Sequence, residues 1–139
     1  MGSPGDIDDF LTLKSFAVVG ASRDRDKYGN IVYRELRSRG FRVFAVNPMA
    51  QTIEGDPCYP TLADLPERVE GAVIVVPPDQ TERTVRTAVA AGIRTVWMQP
   101  GAESEDAIRI CEENGLCAIH NACVLVVLRR SFSSGGLDR

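Results

Sequence analysis

The stretch SFAVVGASRDRDKYGNIVYRELRSRGFRVFAV, residues 15–46, decides the fold. It opens on an unbroken apolar run that ends at Gly20, and an unbroken run, unlike an alternating one, marks a strand buried on both faces. A turn of small and charged residues follows. From residue 28 to 39, Tyr28, Val32 and Leu36 stand four apart and Gly40 closes the segment, the pattern of a helix with one buried face and a glycine stop. Residues 42–46 form a second apolar run. Strand, helix and strand in succession predict a parallel sheet covered by helices.

The same alternation continues outward. Further strands are predicted at 72–76, 95–98 and 116–119, which with 15–20 and 42–46 makes five. Asp79 with Glu82 resembles a capping box, and Val85, Ala88, Val89 and Gly92 then recur on one helical face. Another helix is predicted to start around Ser104, with Glu103, Glu105 and Asp106 about its first turn, and to end at Asn114-Gly115. A short amphipathic turn at 6–13 precedes the first strand. Residues 49–66 contain Gly55, Pro57, Pro60 and Pro66 without clear period, so they are expected to be mostly loop, with at most a helical turn near Leu62. The predicted class is α/β: an open, parallel, five-stranded sheet with helices on both faces. One domain is expected over residues 6–130, with 1–5 and the Ser/Gly-rich 131–139 as flexible termini.

Composition narrows the function classes. A chain of 139 residues with 44% hydrophobic content can bury one core. Its apolar runs, such as residues 72–76, fall far short of the roughly 20 residues that span a bilayer, so no membrane partner is expected. The first residues carry neither a basic patch nor an apolar stretch, unlike a secretory signal, and a cytoplasmic location is the expectation. A net charge of −3 supplies no basic field for nucleic acid. An anionic ligand must then be held by local groups. Cys111, Cys117 and Cys123 recur every six residues, which is neither a redox pair nor a zinc spacing. No metal site is expected, and cysteines inside helices or strands read as small buried hydrophobes.

In an open parallel sheet a ligand binds beyond the carboxyl ends of the strands. After the first strand come Gly20-Ala21-Ser22 and then Arg23, Arg25, Lys27 and Tyr28. Small residues let a phosphate approach the backbone, a helix start offers free N–H groups, and the cations add countercharge. The second strand ends at Asn47-Pro48, where a nicotinamide dinucleotide site would want an acid for the ribose. The third ends at Val76-Pro77-Pro78, a stiff apolar ledge, and the fourth at Gln99-Pro100-Gly101.

Taken in order, several stretches resemble the stand-alone CoA-binding domain proteins of bacteria and archaea, a small Rossmann-like family. They are Val18-Val19-Gly20-Ala21-Ser22, Lys27-Tyr28-Gly29, Val46-Asn47-Pro48, Gly55 with Cys58-Tyr59-Pro60 and Leu62-Ala63-Asp64-Leu65, Pro77-Pro78, and Trp97-Met98-Gln99-Pro100-Gly101. The family is similar to the CoA-binding domain of the succinyl-CoA synthetase α subunit and of ADP-forming acyl-CoA synthetases. That resemblance implies coenzyme A, or an acyl-CoA, as ligand. It implies the pyrophosphate on Gly20-Ala21-Ser22, adenosine lined by Asn47-Pro48 and walled by Pro77-Pro78, and Lys27 or a neighbouring arginine on the 3′-phosphate. Chemistry in those synthetases needs a phosphorylated histidine and a nucleotide-grasping domain outside this unit, which implies binding without catalysis here. The resemblance weakens near the C-terminus, where members commonly read Asp-Arg-Cys with a later acid and this chain reads Asn121-Ala122-Cys123, with Val127 in place of that acid. The lone His120 reads as a surface or edge residue. An NAD(P)-binding oxidoreductase subunit or redox sensor, and an interaction module with a vestigial crevice, stand as the alternatives. A homodimer is compatible with so small a domain.

Overall fold

A computed structural model describes residues 4–137, with side chains over 6–130. The helices are α1 (Pro4–Thr12), α2 (Tyr28–Ser38), α3 (Pro78–Ala90), α4 (Glu105–Glu113) and α5 (Val124–Leu137). The strands are β1 (Ser15–Val19), β2 (Arg42–Val46), β3 (Thr52–Ile53), β4 (Asp56–Tyr59), β5 (Gly71–Ile74), β6 (Thr95–Met98) and β7 (Cys117–Ile119). They form one sheet in the order β3-β4-β2-β1-β5-β6-β7. Every pairing is parallel except the β3–β4 hairpin.

The α/β architecture with helices on both faces is as expected, but the sheet has seven strands, not five. The two extra strands lie in the stretch read as loop. Glu54 and Gly55 adopt φ of 53° and 81°, the left-handed pair that a two-residue hairpin turn requires. β4 then joins β2 through Ala45↔Cys58 and Val46↔Tyr59. Pro57 within it and Pro60 just after hid it, and a strand this short shows no period of its own. Thr61 caps a 3-10 turn at Leu62–Asp64 and completes a capping box with Asp64.

Strand periodicity divides the interior into two cores. On β1, Ala17 and Val19 face one side and Phe16 and Val18 the other; on β6, Val96 and Met98 oppose Trp97. The first side packs on α3 and α4 through Val85, Ala88, Ala107 and Ile110. The second packs on α1, α2 and α5 through Phe10, Val32, Leu36, Val124 and Leu128. β1 and β5 are buried along their whole length, as central parallel strands must be.

Two helix expectations change. The Asp79–Glu82 box does not cap α3: Pro77 is the N-cap, without a side-chain hydrogen bond, and proline at the first helical position replaces it. α5 was not anticipated, because its apolar run 124–128 has no helical spacing of polar residues to reveal it. It extends over part of the expected flexible tail; the ends of both expected termini, residues 1–3 and 138–139, lie outside the described residues. No helix among the described residues is long and apolar enough to cross a membrane.

Trp97 anchors the second core. It is fully buried, meets Phe10 edge-on at 4.7 Å, and donates from Nε1 to the Ala122 carbonyl at 2.9 Å. Trp97→Ala should lower stability by about 3–5 kcal/mol in urea unfolding. Arg109→Ala, which breaks only the exposed pair with Asp106, should shift the same curve by less than about 0.5 kcal/mol.

Candidate functional site

The carboxyl ends of β2, β1, β5 and β6 stand side by side along one edge of the sheet. The chain leaves β1 toward β2 through α2 and leaves β5 toward β6 through α3, so the connections diverge between β1 and β5. That divergence is where an open α/β sheet forms its binding crevice.

The turn after β1 is held by contacts that leave no room for a side chain. Gly20 has φ +97°, and a Cβ there would lie 2.7 Å from the Val75 carbonyl oxygen and 3.1 Å from Val76 Cγ1. A Cβ on Gly29, in the first turn of α2, would fall 2.0 Å from the Gly20 carbonyl oxygen. The helix therefore sits directly on the turn. The pairing of Gly29 with Gly20 across a strand-turn-helix unit is the sequence signal that marks it as a packing glycine.

Two amide side chains orient the turn. Asn47 Nδ2 donates to the Ala21 carbonyl at 2.7 Å, and the fully buried Asn30 donates from Nδ2 to the Ser22 carbonyl at 2.8 Å. Across a trans peptide the N–H points opposite to the C=O. Holding these carbonyls therefore turns the Ser22 N–H away from Asn47 and the Arg23 N–H away from Asn30. They form two successive donors beside the start of α2, whose N-cap Lys27 makes no side-chain cap bond and where backbone acceptors take the Lys27 and Asn30 N–H groups, while those of Tyr28 and Gly29 precede the first intrahelical bonds. Such an array suits an oxyanion. The loop itself winds about Asp24: Ser22 Oγ accepts from the Asp24 N–H and Asp24 Oδ1 from the Asp26 N–H, each at 3.0 Å.

The predicted cations divide. Arg25 is engaged by Glu54 at 2.5 Å. The hydrogen bond from Asn30, assisted by Arg25, holds the Glu54 carboxyl below the ordinary carboxylate range. Arg23 and Lys27 are exposed and form no ion pair among the described residues. Tyr28 and Met49 leave large apolar side chains in solvent, 62% and 86% exposed. Met49 was not predicted; its N–H is bonded to Asn47 Oδ1, which ties it to the same turn.

The remaining predicted residues lie on the same edge with different roles. Val76 is half-buried against Gly20, while Pro48, Pro77, Pro78, Pro100 and Gly101 are exposed. Gln99 is 3% exposed and spent on the start of α5: Oε1 accepts from the Val124 N–H at 2.6 Å and Nε2 donates to Cys123 Sγ at 3.5 Å. His120 has Nδ1 3.0 Å from Asn121 Nδ2, and its Nε2 is buried with no hydrogen-bond partner among the described residues. Cys123 is half-buried, unlike the fully buried Cys111. Burial works to raise the Cys123 thiol, but the Gln99 amide, the Val126 and Leu125 N–H groups and Arg129 bring it below its usual value.

Residues 14–129 match the family model of the CoA binding domain, and the chain belongs to that family. ADP-forming acetate–CoA ligase I of Archaeoglobus fulgidus is 30% identical in an alignment 121 residues long that covers 80% of this chain and 18% of the ligase. The chain thus spans less than a fifth of that relative. A conserved hypothetical protein from Pyrococcus furiosus is 42% identical, with a TM-score of 0.78 over 81% of this chain and 97% of its own. A hypothetical protein from Pyrococcus horikoshii is 30% identical, with a TM-score of 0.87 over 96% of this chain and 92% of its own.

Two outcomes are expected. Gly29→Ala sets a methyl group against backbone that cannot give way, so it should cost several kcal/mol, about 3 or more, in chemical unfolding. Burial pushes the Cys111 thiol up to about 11. Because thiolate forms above the pKa, iodoacetamide at neutral pH should label Cys123 well before Cys111, as peptide mass spectrometry would record.

Proposed function

We propose that this CoA binding domain holds coenzyme A, free or acylated, in the crevice between the ends of β1 and β5, and performs no chemistry on it. The observation that carries the reading is the pair of hydrogen bonds by which Asn47 and Asn30 hold the Ala21 and Ser22 carbonyls beside the start of α2, an arrangement that leaves the Ser22 and Arg23 N–H groups as successive donors on the opposite side. Gly20, Ala21 and Ser22 receive the pyrophosphate. The glycine contacts support this by seating the start of α2 directly on the turn, which sets a helix N-terminus beside the phosphates. Asn47, Pro48 and the exposed Met49 line the adenosine, and Val76, Pro77 and Pro78 wall it. Tyr28 borders the phosphates.

Arg23 and Lys27 are the cations assigned to the 3′-phosphate, since Arg25 is already bound to Glu54. Pro100 and Gly101, one strand further along the edge, flank the path of the pantetheine arm, while Gln99 acts from beneath by fixing α5. The absence of catalysis is inferred from the surroundings of His120, the one histidine in the sequence. Its ring faces an asparagine amide on one side and, among the described residues, no nucleophile with an orienting base accompanies it.

A nicotinamide dinucleotide fits less well. The end of β2 offers Asn47, whose amide is committed to Ala21 and Met49, where the ribose of NAD would require a carboxylate.

Isothermal titration with CoA, dephospho-CoA and NADPH tests the assignment. CoA should bind with micromolar affinity, about −7 to −9 kcal/mol, and dephospho-CoA more weakly. Ser22→Asp can keep the acceptor that holds the Asp24 N–H while placing a negative charge against the phosphates. It should remain folded and lose CoA binding. Normal CoA binding by that variant would overturn the phosphate assignment, heat with NADPH alone would favour the oxidoreductase class, and heat with neither would favour an interaction module.

A further inference from the structure

Glu54 of the β3–β4 hairpin makes a polar contact with the phosphate turn. It stands at the hairpin tip with φ 53°, a conformation that Gly, Asn and Asp adopt more readily than glutamate. Its side chain is 13% exposed and fully used: Oε1 meets Arg25 at 2.5 Å and Oε2 accepts from Asn30 Nδ2 at 3.0 Å. Asn30 Nδ2 also donates to the Ser22 carbonyl, and its Oδ1 accepts from Arg34 Nε at 2.5 Å. Arg34 in turn donates to the Arg25 carbonyl at 2.9 Å. Glu54, Asn30, Arg34 and Arg25 therefore close a ring beneath residues 22–25.

The ring has a definite polarity. An ionised carboxylate only accepts hydrogen bonds and a guanidinium only donates them. Asn30 lies between the two, so its NH₂ must face Glu54 and its oxygen must face Arg34. That orientation is the one in which Nδ2 reaches the Ser22 carbonyl. A flipped amide would set oxygen against oxygen.

We propose that Glu54 is a positioning residue for the phosphate turn: by fixing the Asn30 amide it holds the Ser22 carbonyl inward and keeps the Arg23 N–H presented to the ligand. Its weight for function rests on the CoA reading above, whereas its effect on the turn does not. A carboxylate this close to a polyanion site would otherwise only repel the ligand, and its removal would strengthen binding. The two roles thus predict opposite signs.

Two variants separate them. Glu54→Asn tolerates the left-handed backbone but is too short to reach Asn30, whereas Glu54→Gln keeps the length and an acceptor for the Asn30 amide. Both remove the charge. In ligand-free protein, Glu54→Asn should move or broaden the ¹H–¹⁵N signals of Ser22 and Arg23, with Glu54→Gln staying close to wild type. On titration with CoA, Glu54→Asn should lose about tenfold in affinity and Glu54→Gln less than about threefold. Equal behaviour of the two variants in the ligand-free spectra, whether both change or neither does, overturns the inference. So does tighter CoA binding by both. Wild-type protein that fails to bind CoA while Glu54→Asn alone disturbs the turn would reject the CoA reading and leave the positioning role standing.

Discussion

Three backbone segments meet at the turn after β1 with no side chain between them. The Gly20 carbonyl oxygen occupies the space a Cβ on residue 29 would need, and Gly20 itself lies against the Val75 carbonyl. This contact brings the start of α2 onto the end of β1 and both onto the end of β5. Interiors are packed too tightly for such a contact to be spread over neighbouring atoms. The adjacency of the strand ends, the entry angle of α2 and the exposure of the turn's N–H groups all depend on it.

Above that steric constraint lies a polar one. A turn pressed against backbone on two sides has carbonyls that water cannot reach freely, and they need partners. Asn47 and Asn30 supply them, one from the end of β2 and one from inside α2. The partnering has an electrostatic consequence, since a carbonyl held inward sends the next N–H outward. Satisfying the buried acceptors and presenting the exposed donors are therefore one arrangement. Arg25 belongs to the supporting side of it, through Glu54. Arg23 and Lys27 remain on the solvent side. A net charge of −3 makes these local cations matter, because the rest of the surface gives an anion no general attraction.

The β6 end of this edge of the sheet is organised differently. Gln99 and Trp97 both tie the end of β6 to the segment that leads into α5, through the Val124 N–H, Cys123 Sγ and the Ala122 carbonyl. The residues around Asn121, where the family pattern fails in the sequence, are thus anchored from below by side chains of the neighbouring strand. Asn121 itself turns the chain with φ 64°, a conformation asparagine tolerates better than most residues.

Continuous apolar runs and four-residue spacing were enough to read the parallel sheet, its central strands and α2, because those patterns follow directly from which faces are buried. The Gly20 turn was legible for the same reason: a glycine between a buried strand and a helix start has few other uses. The hairpin was not, since β3 and β4 owe their pairing to Glu54 and Gly55 adopting left-handed backbone and to β2 lying alongside, neither of which leaves a period in the chain. Nor could the sequence tell Arg25 from Arg23, or turn Gln99 inward. Those distinctions arise from residues 24 or more positions away, such as Glu54 for Arg25 and Cys123 for Gln99. Periodicity records which way a side chain faces its own element; only packing decides which distant polar group is waiting there.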